Sequence, residues 1–432
     1  VNIVRLIKET LLATALAVCA PHIVLAAPQP VSEAPQPQSA IYIPDESDQI
    51  VQVQAQASNA ALQRWIAGFR SRALSNGISA RTFDRAFRNV SYNSGVIERD
   101  RNQSEFTQQI WDYLDNAASD TRVRNGQRAL RQNRRVLEQI EARYGVEAEV
   151  VAAVWGLESA YGNYRGDTPI IEALATLAYD GRRGRFFEQQ LIAALQILES
   201  GDTTPANMIG SWAGAMGHTQ FIPTSYLAYA QDFTGDGRRD IWSDNPADAL
   251  ASTAAYLSRF GWTLGQPWGV EVRLPSGFDY SQSGERVKRS VSHWMNAGVR
   301  DMNGQTIPNH GEASILLPAG AQGAAFMIFN NFHVIERYNA ADAYVIGVGH
   351  LSDLLRGGDR IQASWPRGYA PLSFRQKREL QRRLTRAGFD TEGTDGIIGP
   401  NTIAAIRAYQ ASIGVTPDGF ASVDVLNRLR GR

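Results

Sequence analysis

One glutamate stands where a carboxylate is poorly solvated. In the run Val150-Val151-Ala152-Ala153-Val154-Trp155-Gly156-Leu157-Glu158-Ser159-Ala160-Tyr161-Gly162, the residues Val151, Val154, Trp155 and Glu158 recur at helical i, i+3, i+4, i+7 spacing. The carboxyl group therefore lies within the apolar stripe of a helix. Ionising it there is costly, which raises its pKa toward that of a usable general acid. Gly156 and Ser159 leave room beside it for something bulky to approach. A structural ion pair would account for the same placement, with Arg165 as the candidate partner.

A second informative segment is Gly210-Ser211-Trp212-Ala213-Gly214-Ala215-Met216-Gly217-His218-Thr219-Gln220-Phe221-Ile222-Pro223-Thr224-Ser225-Tyr226. Its glycines allow a close approach of backbone to backbone or to a ligand. Ser211, Gln220 and Tyr226 supply neutral hydrogen-bonding groups of the kind that hold a sugar. A tight helix–helix contact would use the same glycines. His218 has no paired acid or nucleophile motif and is left out of the candidate set.

An acidic loop follows directly, from Asp232 to Asp244. Asp232, Thr234, Asp236, Arg238 (through its carbonyl) and Asp240 occupy positions 1, 3, 5, 7 and 9, and Gly237 occupies position 6, of an EF-hand-like cation loop. Position 12 falls on Ser243, where that pattern wants a bidentate carboxylate, and Asp244 comes one residue late. The expected ligands are thus Asp232, Thr234, Asp236, Arg238, Asp240 and Ser243, with a plain Asp-Gly turn as the alternative. A cation here would be structural, since a carboxylic acid needs no metal-activated water.

The elements that must position these residues read as mainly α with a minor β element. Helical faces are marked by Leu62, Trp65, Ile66 and Phe69; by Phe83, Ala86 and Phe87; by Phe106, Ile110, Tyr113 and Leu114; and by Val136, Leu137, Ile140 and Tyr144. Further helices are expected over Phe186 to Leu198 and Ala247 to Phe260. Strand signals are confined to Val270 to Leu274, Ser314 to Leu317 and Ala325 to Phe329. After a break near Trp365-Pro366, Leu380 and Leu384 share a helical face. Pro400 opens a helix carrying Ile403, Ile406 and Ile413, and Ser422 caps one carrying Val423, Leu426 and Leu429. The turns Asp395-Gly396 and Asp418-Gly419 make this tail a pseudo-repeated three-helix module, small enough to suit binding rather than catalysis.

The chain has 432 residues, enough for two or three domains, with 43 basic and 43 acidic side chains. That balance gives no global argument for nucleic acid or for an anionic membrane surface. Arg5 and Lys8, the apolar run Leu11 to Ala20 and the small-residue site Val24-Leu25-Ala26 read as an export signal cleaved after Ala26. The sole cysteine, Cys19, lies within it, so the mature chain is expected to have no disulfide. Leu16-Ala17-Val18-Cys19 is close to a lipobox, but Val18 stands where Gly, Ala or Ser is wanted. A periplasmic location is thus expected, with an outer-membrane lipoprotein as the alternative. The expected organisation is 1–26 signal, 27–57 Pro/Gln-rich tether, 58–365 catalytic domain and 372–432 binding module.

Taken together, Gly-Leu-Glu158-Ser-Ala-Tyr-Gly, the Gln220 segment, the acidic loop, Ala254-Ala255-Tyr256-Leu257 and Arg337-Tyr338-Asn339 followed by Tyr344 resemble the lytic murein transglycosylase B family. The tail, with Leu380-Gln381, Gly388-Phe389, Asp395-Gly396 and Tyr409-Gln410, resembles the common peptidoglycan-binding module. The resemblance implies a lysozyme-like catalytic fold and cleavage of the MurNAc–GlcNAc β-1,4 bond with formation of 1,6-anhydro ends. It implies Glu158 as acid and then base, and Ser211, Gln220, Tyr256, Tyr338, Asn339 and Tyr344 as groups that position the sugars. No cofactor is expected for the chemistry, and a structural Ca2+ or Na+ is expected in the acidic loop. Peptidoglycan glycan strands are the expected partner, with other cell-wall enzymes beside them. The alternatives are a lysozyme-type hydrolase and a non-catalytic cell-wall binding protein.

Overall fold

The structure is a computed structural model that describes residues 46–102 and 108–431, with side chains placed from residue 57 onward. The export signal, Cys19, the tether up to residue 45 and Phe106 lie outside the described residues. The first helix, Glu46–Ser75, begins inside the stretch read as a tether, which corrects that reading for residues 46–57. Gln52, Gln54, Ala55 and Gln56 show no apolar periodicity. They nevertheless propagate a helix well once Leu62, Ile66 and Phe69 anchor its far end in the core.

The helix Ala148–Ser159 runs through the centre of the largest apolar cluster, and every residue from Val150 to Ser159 is buried. The helices Asp120–Gln132, Ala247–Arg259 and Asp342–Leu355 pack around it. Its start is held by Glu147, whose carboxylate accepts from Trp262 Nε1 (2.7 Å) and the Gly265 amide (2.8 Å). It stops because Ala160 and Tyr161 take left-handed backbone conformations, with φ of 49° and 61°. Two successive non-glycine residues there cost about 1–2 kcal/mol each, so the surrounding packing must hold them. The helices Ile170–Asp180 and Gly184–Ser200 flank this core. A two-stranded ribbon of β1 (Thr168–Pro169) and β2 (Ile209–Gly210) ties the chain after Glu158 to the Gln220 segment.

An inserted sheet holds β3 (Gly269–Arg273), β4 (Arg289–Ser290), β5 (Arg300–Asp301), β6 (Glu312–Leu316) and β7 (Ala325–Ile328), in the antiparallel order β4-β6-β7-β3-β5. Register pairs Val272 with Ala325 and Ser314 with Ile328. Strand alternation splits β7 between two cores. Phe326 and Ile328 join the helical cluster, while Ala325 and Met327 pack with Val272, Trp294 and Ile315 in the insert's own cluster. The three expected strands are present with ends shifted by a residue or two. The two-residue strands carry too little sequence to show a period.

The C-terminal helices Phe374–Arg386, Pro400–Ser412 and Val423–Leu429 enclose a third cluster around Leu380, Leu384, Ile406 and Leu426. The pseudo-repeat is atomic. Gln381 Oε1 accepts from the Gly396 amide (2.7 Å) while its Nε2 donates to Asp395 (2.9 Å); Gln410 does the same for Gly419 (2.8 Å) and Asp418 (2.7 Å). Ile413 corrects the expected helix face: the helix ends at Ser412, and Ile413 is an exposed C-cap. The module contacts the insert through polar groups. Arg407 donates to Ser283 O (3.0 Å) and Oγ (2.7 Å), and Asp418 accepts from the Ala321 amide (2.9 Å). Among the described residues, no helix is long and apolar enough to cross a membrane.

Candidate active site

Glu158 is 8% exposed and is the penultimate residue of its helix. The Tyr344 hydroxyl, on the neighbouring helix Asp342–Leu355, donates to Glu158 Oε1 at 2.6 Å. Burial pushes the Glu158 carboxyl from 4.5 up to about 8, against the Tyr344 hydrogen bond, which pulls the other way. Among the described residues no charged group contributes to that shift, and at neutral pH the acid is largely protonated. Tyr338 and Tyr344 stack at 6.5 Å with nearly parallel rings. The hydroxyls of Tyr113, Tyr338 and Tyr344 are all pushed upward, by burial first and by the nearby Glu158 second. Tyr113 is thus part of the acid's wall, although its sequence signal was only that of a core-facing aromatic.

The ion pair weighed for Glu158 is absent. Arg165 donates instead to the carbonyls of Trp242 and Ser243 (2.8 Å each) and pairs with Asp244 (2.9 Å). The room expected at Gly156 and Ser159 is also taken, by the protein itself. A Cβ at Gly156 would sit 2.6 Å from Tyr161 Cζ, so glycine is there to let the Tyr161 ring cross the helix. Ser159 Oγ donates to His218 O and accepts from the Gly162 amide (2.9 Å). His218 is a buried brace: Trp155 Nε1 donates to its Nδ1 (3.1 Å), and its Nε2 lies 2.7 Å from Ser243 O. Burial lowers its pKa, which fits a neutral ring that donates from Nε2 and accepts at Nδ1.

The remaining candidates fall into two groups. Gln220 sits in a left-handed turn (φ 54°), and its Nε2 donates to Gly217 O (2.8 Å) and Arg165 O (3.2 Å). With both amide hydrogens used, Oε1 is the atom left for a ligand. Ser211 Oγ accepts from the Ala215 amide (3.0 Å) and keeps its own hydrogen to donate. Tyr338 donates to Thr219 O, which links the Glu158 wall to the Gln220 segment. Asn339 is buried, and its Oδ1 accepts from the Ala341 amide (3.1 Å). Tyr256 points its hydroxyl to Arg337 O (2.6 Å) within a ring cluster of Phe221, Tyr229, Phe260 and Tyr338. Tyr226, read as a sugar-binding hydroxyl, is fully buried and donates to Arg239 O (2.5 Å); it is a core residue.

The acidic loop closes differently from its expected register. Carboxylate oxygens of Asp232, Asp236 and Asp248 lie within 4.8 Å of one another. Asp248, in the first turn of the Ala247–Arg259 helix, supplies the closing carboxylate that position 12 lacked. Ser243 turns elsewhere, with its carbonyl taken by Arg165 and His218. Asp240 accepts from the amides of Trp242 (2.9 Å) and Ser243 (3.1 Å), outside the cluster. Arg238 gives its amide to Asp236 (2.9 Å), and Thr234 Oγ1 faces Asp232 at 3.5 Å. Burial raises the Asp248 carboxyl, and the neighbouring Asp232 raises it further. Three hard oxygens that repel one another suit a divalent cation of the calcium kind.

Residues 61–353 match the family model described as Transglycosylase SLT domain, and residues 376–429 match that of the peptidoglycan binding domain. The chain is 36% identical over 215 residues to the membrane-bound lytic murein transglycosylase B of Escherichia coli (strain K12). That stretch covers 48% of this chain and 56% of the relative, so the match spans little more than half the curated protein's length. The crystal structure of SltB3 from Pseudomonas aeruginosa in complex with NAG-anhNAM-pentapeptide aligns with a TM-score of 0.84 at 50% identity, covering 85% of this chain and 99% of that one. The Escherichia coli lytic transglycosylase Slt35 in complex with calcium aligns with a TM-score of 0.59 at 30% identity, covering 69% of this chain and 94% of that one. A helical core around one buried glutamate, a small inserted sheet and a three-helix tail, matched over these lengths, place the chain in the Transglycosylase SLT domain family, in the group that contains lytic murein transglycosylase B and SltB3.

Proposed function

We propose that this protein is a peptidoglycan lytic transglycosylase that cuts the MurNAc–GlcNAc β-1,4 bond and leaves 1,6-anhydro-MurNAc ends. The observation that carries this reading is Glu158: a single buried carboxyl, neutral at pH 7, with a tyrosine on one oxygen and no second carboxylate contributing to its pKa. Protonated Glu158 gives its proton to the glycosidic oxygen as the C1–O bond breaks. The substrate's own acetamido group stabilises the positive C1. Ionised Glu158 then takes the proton of the muramoyl C6 hydroxyl, whose oxygen bonds to C1 and closes the anhydro ring. Hydrolases that work with two carboxylates need a second one within reach of the sugar, and here one residue does both proton transfers.

Gln220 Oε1 and Ser211 Oγ–H are the groups best prepared to meet sugar hydroxyls. Tyr338, Asn339 and Tyr344 shape the wall, and Tyr256 acts through ring packing. Asp232, Asp236 and Asp248 would hold a calcium ion, which would neutralise the loop's crowded charge and tie it to the Ala247–Arg259 helix. Catalysis takes place at the cell wall after export, and the C-terminal module adds affinity for glycan strands. Digestion of purified sacculi followed by product mass analysis tests the assignment. Transglycosylase products lack one water relative to hydrolase products, so reducing-end muropeptides would overturn it.

A further inference from the structure

On the Asn330–Tyr338 helix, a second set of potential ligands comes together. His333 and Glu336 lie about one turn apart, with His333 Nδ1 3.1 Å from Glu336 Oε2. Glu285 reaches them from the loop between β3 and β4, and one ligand atom from each residue lies within 4.8 Å of the other two. That loop is placed independently of the three side chains. Ser314 Oγ donates to Glu285 O (3.0 Å), and the Gly284 amide donates to Ile315 O (2.7 Å). An i, i+3 hydrogen bond accounts for His333 with Glu336. The Glu285 carboxylate joins that pair from a separate element.

We propose that Glu285, His333 and Glu336 form a binding site for a divalent transition metal of the zinc class, bracing the inserted sheet against the helical core. The donor set of one imidazole and two carboxylates selects against calcium and magnesium, which take oxygen ligands, and for zinc, cobalt or manganese. His333 and Glu336 keep 24% and 20% of their side-chain exposure, so the site has an entry path and is partly shielded. His333 also lines a cavity of about 200 Å3 with His310, Glu312 and Lys288. This leaves space for water in the coordination position that three protein ligands leave open.

The test is a titration of the whole chain with ZnCl2, with calcium in excess to fill the Asp232–Asp236–Asp248 cluster. One equivalent is expected to bind and to raise the melting temperature. Glu285→Gln and His333→Gln should each weaken binding at least about ten-fold, on the scale by which lost supporting contacts weaken metal sites. Asp236→Asn should leave zinc binding unchanged. Cobalt(II) added to the unaltered protein should develop visible absorption bands of low-symmetry nitrogen–oxygen coordination. Absence of both the zinc heat and the cobalt bands would overturn the site. Binding that survives both Glu285→Gln and His333→Gln, or that is lost only in Asp236→Asn, would do so too.

Discussion

Glu158 and Asp248 are both carboxylates that the fold removes from water, and each is handled in its own way. Glu158 receives a hydroxyl donor from Tyr344 and lies near Tyr113 and Tyr338. Asp248 receives three backbone amides, from Phe233 (2.9 Å), Thr234 (3.0 Å) and Asp240 (2.9 Å), and two neighbouring carboxylates. Burial raises both carboxyls, but three amide donors oppose the rise at Asp248, whereas a hydroxyl from Tyr344 opposes it at Glu158. The difference teaches that burial alone does not make an acid catalyst; the donors around the carboxyl oppose the rise that burial causes.

The sharpest way to break the comparison is Glu158→Gln. Loss of the general acid should lower anhydro-muropeptide release roughly a hundred- to ten-thousand-fold while sacculus binding persists. The same variant sharpens the electrostatic half of the argument. The folded pKa of Glu158 lies above its unfolded value, so its contribution to stability is complete below about 4.5 and lost as pH rises through about 8. Glu158→Gln has no proton to lose, so its melting temperature should match the parent in acid and exceed it above that upper value. Activity of the parent should decline over the same alkaline limb.

On the other side, chelation or Asp248→Asn should lower the melting temperature by several degrees. A cation present at a hundred-fold excess over its Kd contributes about 2.7 kcal/mol. Activity at low temperature should persist, because the loop is not in contact with Glu158; an unchanged melting curve would remove the cation. Tyr344→Phe is a smaller test. It deletes the hydroxyl donor to Glu158, should cost about five- to ten-fold in rate, and should move the alkaline limb of the pH profile upward. The smallest effect is expected from Arg407→Ala, about 1 kcal/mol or less, read as weaker docking of the C-terminal module by limited proteolysis.

Glu158 was legible because a helix of 3.6 residues per turn places it among Val151, Val154 and Trp155 whatever the tertiary context. Asp248 was not, because counting along a loop assumes a fixed register. Here the chain detours through Trp242 and Ser243, where Arg165 grips two carbonyls, before the closing carboxylate arrives on the next helix. The meaning of Gly156 was likewise hidden. Its partner, Tyr161, arrives only because Ala160 and Tyr161 turn left-handed, and nothing local predicts that in non-glycine residues. The start of the Glu46–Ser75 helix was missed because propensity and a distant anchor, rather than amphipathic pattern, decide it.

Strand β7 has one further consequence, for how the molecule comes apart. Because its alternate side chains belong to two apolar clusters, the insert and the helical core cannot lose their packing separately. The C-terminal helices share no such strand and touch the rest through Arg407, Asp418 and a few other groups. Calorimetry should therefore record two cooperative transitions rather than three, the smaller one belonging to the tail, and a single midpoint would describe neither unit.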